Sequence, residues 1–202
     1  MNACIVGASG YSGRELLALL AKHPNVKLSI VTSRKLVGTP VEEALPNMRG
    51  KTPGLIFSTP DAEELAGNPE LEVFFLALPH GTAAEYAEPL VKGGKKVIDL
   101  SADFRLNDVS EYQHWYGMPH QCPNLMREFV YGIPELHREE IRNANLVTGA
   151  GCNATATILA LFPFFRRGLV DLDRTVVEVK VGSSEGGNAA TEASHHPERS
   201  GA

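Results

Sequence analysis

A glycine-rich turn close to the N-terminus constrains the fold of this 202-residue chain more than any other feature. Residues 2–6 form an apolar run typical of a buried strand, and residues 14–20 have helical spacing. Gly7, Gly10 and Gly13 stand between them, in the spacing G-x-x-G-x-x-G. Such glycines let the backbone approach a pyrophosphate, and the start of the helix supplies N–H donors. The alternative is a tight turn without a ligand. The residues predicted to bind a dinucleotide here are Gly7, Ser9, Gly10, Tyr11, Ser12 and Gly13.

The end of the second predicted strand indicates which dinucleotide is bound. This strand covers residues 26–32, and Ser33, Arg34 and Lys35 follow it. An NAD site usually carries an acidic residue at this place, which binds the ribose 2′-hydroxyl. A hydroxyl and two cations suit a 2′-phosphate instead. The pattern therefore favours NADP, and solvated surface charge is the competing interpretation for Arg34 and Lys35.

Strands and helices alternate up to residue 148, which is typical of a mostly parallel sheet with right-handed crossovers. In such sheets the ligand lies at the carboxyl ends of the strands. The loops at residues 7–13, 78–82 and 100–105 should therefore meet at one crevice. Pro79 and His80 are candidate cofactor contacts in the second loop, although His80 would serve equally as a helix cap.

The third of these loops carries the sequence Ser101-Ala102-Asp103-Phe104-Arg105. Ser101 and Arg105 are candidate substrate ligands, since a guanidinium binds a phosphate or carboxylate with two hydrogen bonds. Asp103 would hold Arg105 in place. The alternative is an ordinary ion pair between Asp103 and Arg105 at the surface.

A second glycine turn, at residues 149–151, delivers Cys152 to the start of an apolar helix. Unpaired N–H groups and the helix dipole favour a thiolate there, which is the nucleophilic form of cysteine. A small buried hydrophobic residue is the alternative for Cys152. Asn153 beside it is a candidate for substrate binding or for helix capping. The three cysteines of the chain form no CxxC pair and are too few for a disulfide framework, which is typical of a protein of the reducing cytoplasm.

We expect two domains, a Rossmann-type NADP-binding domain at residues 1–149 and the beginning of an α/β substrate domain at residues 150–202. Residues 175–181 alternate in period two and predict the first strand of a second sheet. A lone strand cannot bury its apolar face. The second domain should therefore be incomplete and expose Val177, Val179 or Val181.

Composition excludes several classes of function. A net charge of −5 gives no general attraction to nucleic acid or to anionic membranes. The sequence has no apolar window of about 18 residues and begins without the zones of a signal peptide. His114, His120 and His137 have no metal-ligand spacing with a cysteine or acidic cluster, so no metal site is predicted.

Together, these motifs resemble the N-acetyl-gamma-glutamyl-phosphate reductase family over essentially the whole chain. The resemblance implies reduction of an acyl phosphate to a semialdehyde by NADPH, with Cys152 as the nucleophile. It also implies a homo-oligomer, a dimer or a tetramer, when the protein is full length. The segments that carry the resemblance are 7–13, 32–34, 78–81, 99–105, 131–135 and 151–152.

The segment Gly151-Cys152-Asn153-Ala154-Thr155 departs from the Gly-Cys-Tyr-Pro-Thr that is usual in the arginine pathway. With residues 183–187 and 194–199, it resembles the branch whose substrates are tethered to the acidic carrier protein LysW, in lysine or arginine synthesis. The choice between glutamyl and aminoadipyl substrates stays open.

The family's catalytic histidine belongs to a His-Arg-His motif, which these 202 residues do not contain, and His195 and His196 precede its expected place. The resemblance therefore implies an N-terminal fragment. An aspartate-semialdehyde dehydrogenase and a non-catalytic NADP-binding module remain as alternative functions.

Overall fold

A computed structural model of the chain describes residues 1–187. The chain divides into two compact units, which meet in sequence at Gly149 and Ala150. Within the described residues, no helix has the length and apolar character needed to cross a membrane. The strands and helices of the first unit are β1 (Asn2–Val6), α1 (Tyr11–Leu20), β2 (Lys27–Thr32), α2 (Val41–Ala44), β3 (Phe57–Ser58), α3 (Ala62–Gly67), β4 (Val73–Leu76), α4 (Ala83–Lys92), β5 (Lys96–Asp99), α5 (Val109–Tyr116), β6 (Val130–Gly132), α6 (Pro134–Asn143) and β7 (Leu146–Gly149).

These strands form one parallel sheet of seven strands in the order β3-β2-β1-β4-β5-β7-β6. Both faces of the sheet are covered. Cys4 of β1 belongs to an apolar cluster that includes Leu65 of α3 and Leu90 of α4. Ile5, the next residue, belongs to a second cluster with Leu17 of α1. Burial on both faces explains why β1 is a continuous apolar run. The prediction of a doubly wound Rossmann-type sheet is confirmed.

One strand of this sheet escapes sequence analysis. Residues 131–135 read as a turn into a helix, whereas β6 occupies Val130–Gly132. It has only three residues, and Pro134 starts the next helix almost at once. A pattern of alternation needs about four residues to be visible. Its place at the edge of the sheet, paired only with β7, also relaxes the demand for apolar residues.

The second unit begins with α7 (Cys152–Arg166) and has short 3₁₀ helices at Leu172–Arg174 and Ser183–Gly186. The strand predicted at residues 175–181 is wrong: between residues 150 and 187 the chain forms no strand. A strand needs a hydrogen-bonded neighbour, and the described part of this unit offers none. Val177, Val179 and Val181 are 43 to 49% exposed, as expected for an apolar face without a cover. The segment 194–199 lies outside the described residues.

Two of the three glycines in the first turn are required by the backbone itself. Gly7 has φ +91°, and a Cβ on it would lie 2.3 Å from the Ala77 carbonyl oxygen. A Cβ on Gly13 would lie 2.3 Å from the Gly7 carbonyl oxygen. At Gly10 the nearest atom to such a Cβ is 3.7 Å away. The fold therefore needs glycine at positions 7 and 13, whereas a Cβ at position 10 would make only an ordinary van der Waals contact.

This difference predicts unequal effects on stability. Gly13→Ala should lower the free energy of unfolding by about 2 kcal/mol or more, because α1 must move away from the backbone of Gly7 and Ala8. Gly10→Ala should cost about 1 kcal/mol or less, the effect of alanine at a helix N-cap. Urea denaturation of both variants measures the two costs. Equal losses would contradict the conclusion that close packing requires glycine at position 13 and not at position 10.

Candidate functional site

The glycine loop is tied to the end of β2 and leaves the start of α1 open. The Gly7 N–H donates to Thr32 Oγ1 over 3.0 Å, and the Ala8 N–H donates to the Thr32 carbonyl over 2.9 Å. Gly10 is the N-cap of α1, and no side chain caps the helix. The first N–H groups of such a helix are available to an anion. The uncapped start of α1, with no side chain at Gly10, fits the pyrophosphate of a dinucleotide.

The three residues predicted to bind a 2′-phosphate differ in their surroundings. Ser33 is buried, and its hydroxyl donates to Ser9 Oγ over 2.9 Å and accepts from the Leu36 N–H over 3.2 Å. Arg34 and Lys35 are exposed, and neither forms an ion pair with a residue between 1 and 187. The hydroxyl of Ser33 is thus largely used within the protein, whereas the two cations are available to a ligand.

Asp103 joins the loop after β5 to the loop after β4. Its carboxylate accepts hydrogen bonds from the Gly81 N–H over 2.7 Å and from the Ala83 N–H over 2.8 Å. The Ser101 hydroxyl in turn accepts from the Asp103 N–H over 3.1 Å. Asp103 is 1% exposed, so these bonds are shielded from water. The expectation that Asp103 holds or pairs with Arg105 is wrong, because its carboxylate faces the start of α4 instead.

His80 does not cap α4, whose N-cap is Thr82 and which has no side-chain cap. Its Nδ1 lies 3.0 Å from Asp103 Oδ1, although the ring N–H is not directed at that oxygen as a hydrogen bond requires. The ring packs against two tyrosines of α5, with centroid distances of 4.1 Å to Tyr116 and 5.8 Å to Tyr112. Burial, followed by the Asp103 charge, raises the pKa of Tyr112 to about 12. The aromatic character of α5 therefore serves to position His80, a role that sequence analysis missed. Pro79 beside it is exposed.

Arg105 is held by main-chain carbonyls. Its Nε donates to the Gly149 carbonyl over 2.9 Å, and its Nη2 donates to the Leu100 carbonyl over 3.3 Å. The side chain thereby ties the loop after β5 to the end of β7. Within residues 1–187, Nη1 donates to no group, so part of the guanidinium remains available to an anion.

A buried carboxyl group supports the same loop. Asp99 ends β5, and its Oδ1 accepts from the Ser101 N–H over 2.9 Å. Oδ2 is buried without a hydrogen-bond partner in the described part of the chain. The same holds for Oγ1 of Thr148, the residue paired with Asp99 on β7. Burial raises the pKa of Asp99 to about 6, against the opposing effect of its bonds to Ser101.

The three cysteines differ in their exposure to solvent. Cys152 is the first residue of α7 and is exposed, after an N-cap at Gly151 that provides no side-chain cap. Cys4 and Cys122 are buried. Burial raises the pKa of the Cys4 thiol to about 12 and that of Cys122 to about 11. The structure thus presents one accessible thiol, at the start of a helix whose N–H groups favour negative charge.

Asn153 does not cap α7 either. Its Nδ2 donates to Glu185 Oε1 over 2.7 Å, and its Oδ1 lies 3.8 Å from Cys152 Sγ. Glu185 therefore sets the orientation of the amide next to the thiol. Sequence analysis missed this role, because nothing in a single sequence links residues that stand 32 positions apart.

Comparison with known families gives a match along both units. Residues 2–144 match the model described as semialdehyde dehydrogenase, NAD binding domain. Residues 152–202 match the model described as semialdehyde dehydrogenase, dimerisation domain. The first match alone covers more than half of the chain.

Two relatives illustrate the similarity to characterised proteins. The chain is 46% identical to the [LysW]-L-2-aminoadipate/[LysW]-L-glutamate phosphate reductase of Saccharolobus solfataricus, over 100% of this chain and 56% of the relative. It is 49% identical to the N-acetyl-gamma-glutamyl-phosphate reductase of Methanopyrus kandleri, over 96% of this chain and 56% of the relative. The chain thus spans little more than half the length of these relatives.

Among solved structures, the aspartate semialdehyde dehydrogenase of Candida albicans with NADP has a TM-score of 0.54 to this chain. The match covers 84% of this chain and 48% of that one, at 15% sequence identity. At this identity the likeness concerns the fold alone.

The environments of the cysteines predict their order of reactivity. Brief alkylation near neutral pH should label Cys152 first, because Cys4 and Cys122 are buried and have raised pKa values. Mass mapping of the peptides gives the order directly. Faster labelling of either buried cysteine in the folded protein would contradict it, and full labelling of all three in urea is the control.

The raised pKa of Asp99 predicts a dependence of stability on pH. Above pH about 6 the folded protein must bury a charged carboxylate, which costs up to about 3 kcal/mol. This cost shrinks as the pH falls through the raised pKa of Asp99 toward its usual value, because the folded state then binds the proton more tightly. Asp99→Asn removes the cost and keeps an acceptor for the Ser101 N–H.

Unfolding free energies at pH 8 and pH 5 test this dependence. The stability advantage of Asp99→Asn over the wild type should be about 1 kcal/mol larger at pH 8 than at pH 5. An advantage that is the same at both pH values would show that the carboxyl does not titrate between them, and a larger advantage at pH 5 would show that folding lowers its pKa.

Proposed function

The chain belongs to the semialdehyde dehydrogenase family, and we propose that it forms part of an enzyme that reduces an acyl phosphate to a semialdehyde with NADPH. The observation that carries the proposal is the exposed Cys152 at the start of α7, in a chain whose first unit is a parallel sheet that matches an NAD-binding domain. The names of relatives that share nearly half of its residues support the reaction class.

Cys152 performs the first step as a nucleophile. Its thiolate attacks the carbonyl carbon of the acyl phosphate, and the bond from that carbon to the phosphate oxygen breaks. Inorganic phosphate departs, and the acyl group remains on Sγ as a thioester. Bound NADPH supplies the hydride that reduces this thioester. The resulting thiohemiacetal expels the Cys152 thiolate and releases the aldehyde. Covalent capture divides a difficult reduction into two easier steps.

The first unit would hold the cofactor at the carboxyl ends of its strands. The uncapped start of α1, with no side chain at Gly10, suits the pyrophosphate. Arg34 and Lys35 suit the 2′-phosphate. His80 would contact the nicotinamide half from the loop after β4. The residues to which we assign cofactor binding are Gly7, Ser9, Gly10, Tyr11, Ser12, Gly13, Ser33, Arg34, Pro79 and His80.

The substrate would be a glutamyl or aminoadipyl phosphate, with Ser101, Arg105 and Asn153 as its polar contacts. The free Nη1 of Arg105 supports an anionic group there. Both kinds of relative exist at similar identity, one with an N-acetyl substrate and one with a substrate on LysW. We therefore propose an α-amino group that is blocked, by acetyl or by the carrier protein, as the shared feature. Such an enzyme would act in the cytoplasm, as a dimer or tetramer.

The alternatives make different demands on the same cysteine. An aspartate-semialdehyde dehydrogenase would use Cys152 with a shorter substrate whose amino group is free. Two structures of such dehydrogenases resemble this chain at 19% and 15% identity, and they support the fold alone. A non-catalytic module would bind NADP and leave Cys152 unacylated.

Acylation of Cys152 tests the proposal. Acylation is the readout because the resemblance assigns the later proton transfer to a His-Arg-His motif, which these 202 residues do not contain. Incubation with N-acetylglutamyl phosphate, with the carrier-linked analogue or with aspartyl phosphate should add one acyl mass to the peptide of Cys152, with a blocked substrate preferred.

Two variants control this experiment. Cys152→Ser should form no thioester, and Cys122→Ser, which changes a buried thiol, should be acylated like the wild type. An acyl group that persists in Cys152→Ser would show that another residue is the nucleophile. Failure of every acyl phosphate to react would favour the non-catalytic module, and a preference for aspartyl phosphate would favour the dehydrogenase.

A further inference from the structure

We propose that Arg14 is a further specificity-determining residue, which binds the 2′-phosphate of NADPH together with Arg34. The inference rests on the cofactor assigned under the proposed function and extends it to a residue on α1, outside the glycine turn and outside the end of β2. Neither the spacing of the glycines nor the cations after β2 points to this position.

The side chain of Arg14 turns back over the loop from which α1 starts. Its Nε donates to the Ser9 carbonyl over 2.8 Å. The side chain is half-buried, whereas Arg34 and Lys35 are exposed. The stem of Arg14 is therefore fixed in one orientation before any ligand arrives, which lowers the entropic cost of a further bond by its guanidinium.

Ser9 connects this guanidinium to the end of β2. The Ser9 carbonyl accepts from Arg14, and Ser9 Oγ accepts from the Ser33 hydroxyl over 2.9 Å. Arg14 and Ser33 thus bind the same residue, one through its main chain and the other through its side chain. In a dinucleotide-binding sheet the ribose of the adenosine lies at the end of β2. Arg14 therefore stands on the adenosine side of the glycine loop.

The guanidinium of Arg14 can form further hydrogen bonds. Of the three guanidinium nitrogens of Arg14, only Nε donates a hydrogen bond to a group within residues 1–187. No carboxylate in that range forms an ion pair with Arg14. Arg142 on α6 differs, since it pairs with Glu139. A planar fork with two free amino groups matches the oxygens of a phosphate. With the Ser33 hydroxyl already engaged by Ser9 and Leu36, a second cation compensates for the donor that Ser33 lacks.

Binding of cofactor fragments tests this role. We would titrate NADPH, NADH, 2′,5′-ADP and 5′-ADP by calorimetry into the wild type and into Arg14→Gln, Arg14→Lys, Arg34→Gln and Arg142→Gln. Arg14→Gln should weaken NADPH and 2′,5′-ADP about 10- to 100-fold, the effect of a lost charge-assisted hydrogen bond, and leave NADH and 5′-ADP unchanged. Arg14→Lys should lose less, because it keeps the charge. Arg142→Gln should behave like the wild type.

The possible contrary results are distinct. Equal weakening of all four ligands by Arg14→Gln would place Arg14 at the pyrophosphate or in the support of the loop, and would overturn its role in specificity. An unchanged affinity for NADPH in that variant would overturn it as well, while a loss in Arg34→Gln would leave the cofactor assignment intact. A wild type that binds NADH as tightly as NADPH would overturn both this inference and the cofactor of the proposed function.

Discussion

The close contact between α1 and the glycine loop after β1 is the constraint on which this end of the sheet depends. Because a Cβ on Gly13 would lie 2.3 Å from the Gly7 carbonyl oxygen, the helix can rest on the loop that follows β1 only if residue 13 has no side chain. This contact places the uncapped start of α1 at the end of β1, beside β2 and β4. Arg14, the next residue, then reaches the Ser9 carbonyl, and Ser9 reaches Ser33. A single packing requirement thus sets both the helix end proposed to bind the pyrophosphate and the polar contacts proposed to surround the adenosine.

On the other side of β1, a buried carboxylate has the corresponding role. Asp103 accepts two main-chain N–H groups at the start of α4, out of reach of water. Each charge-assisted bond of this kind contributes about 1.5 to 3 kcal/mol, which is enough to hold two loops in one arrangement. The loop after β4 carries His80 and the loop after β5 carries Arg105. Asp103 therefore fixes the relative position of a proposed cofactor contact and a proposed substrate contact, without belonging to either group.

Sequence analysis identified the parallel sheet. It failed for features that depend on contacts between residues far apart in the sequence or on segments too short to show a pattern. The parallel sheet follows from apolar runs and glycine turns that alternate with helical segments, all of which are visible in one sequence, whereas the order of the strands comes from the structure. The direction of the Asp103 side chain is not visible, because Ala83 and Arg105 are equally plausible partners until the loops are placed in space. The three residues of β6 are too few for a pattern. Residues 175–181 show the reverse error, since alternation gives the tendency to form a strand and hydrogen bonding to a neighbour decides whether one forms.

Candidate ligand-binding residues that look equivalent in the sequence differ in the structure, because some of their polar groups already form hydrogen bonds within residues 1–187 and others do not. A serine followed by two cations predicts three phosphate ligands, but the Ser33 hydroxyl already donates to Ser9 and accepts from Leu36. Arg105 likewise uses two of its nitrogens on main-chain carbonyls and retains Nη1. A group that is partly engaged within the protein is held in one orientation, so it loses less entropy when a ligand binds, and it offers fewer bonds in return. A cation such as Arg34, which is unpaired within residues 1–187, loses more entropy when a ligand binds and offers more hydrogen bonds. Arg14 combines a fixed stem with free amino groups, and for that reason its contribution to cofactor choice should exceed what its place outside both recognition motifs indicates.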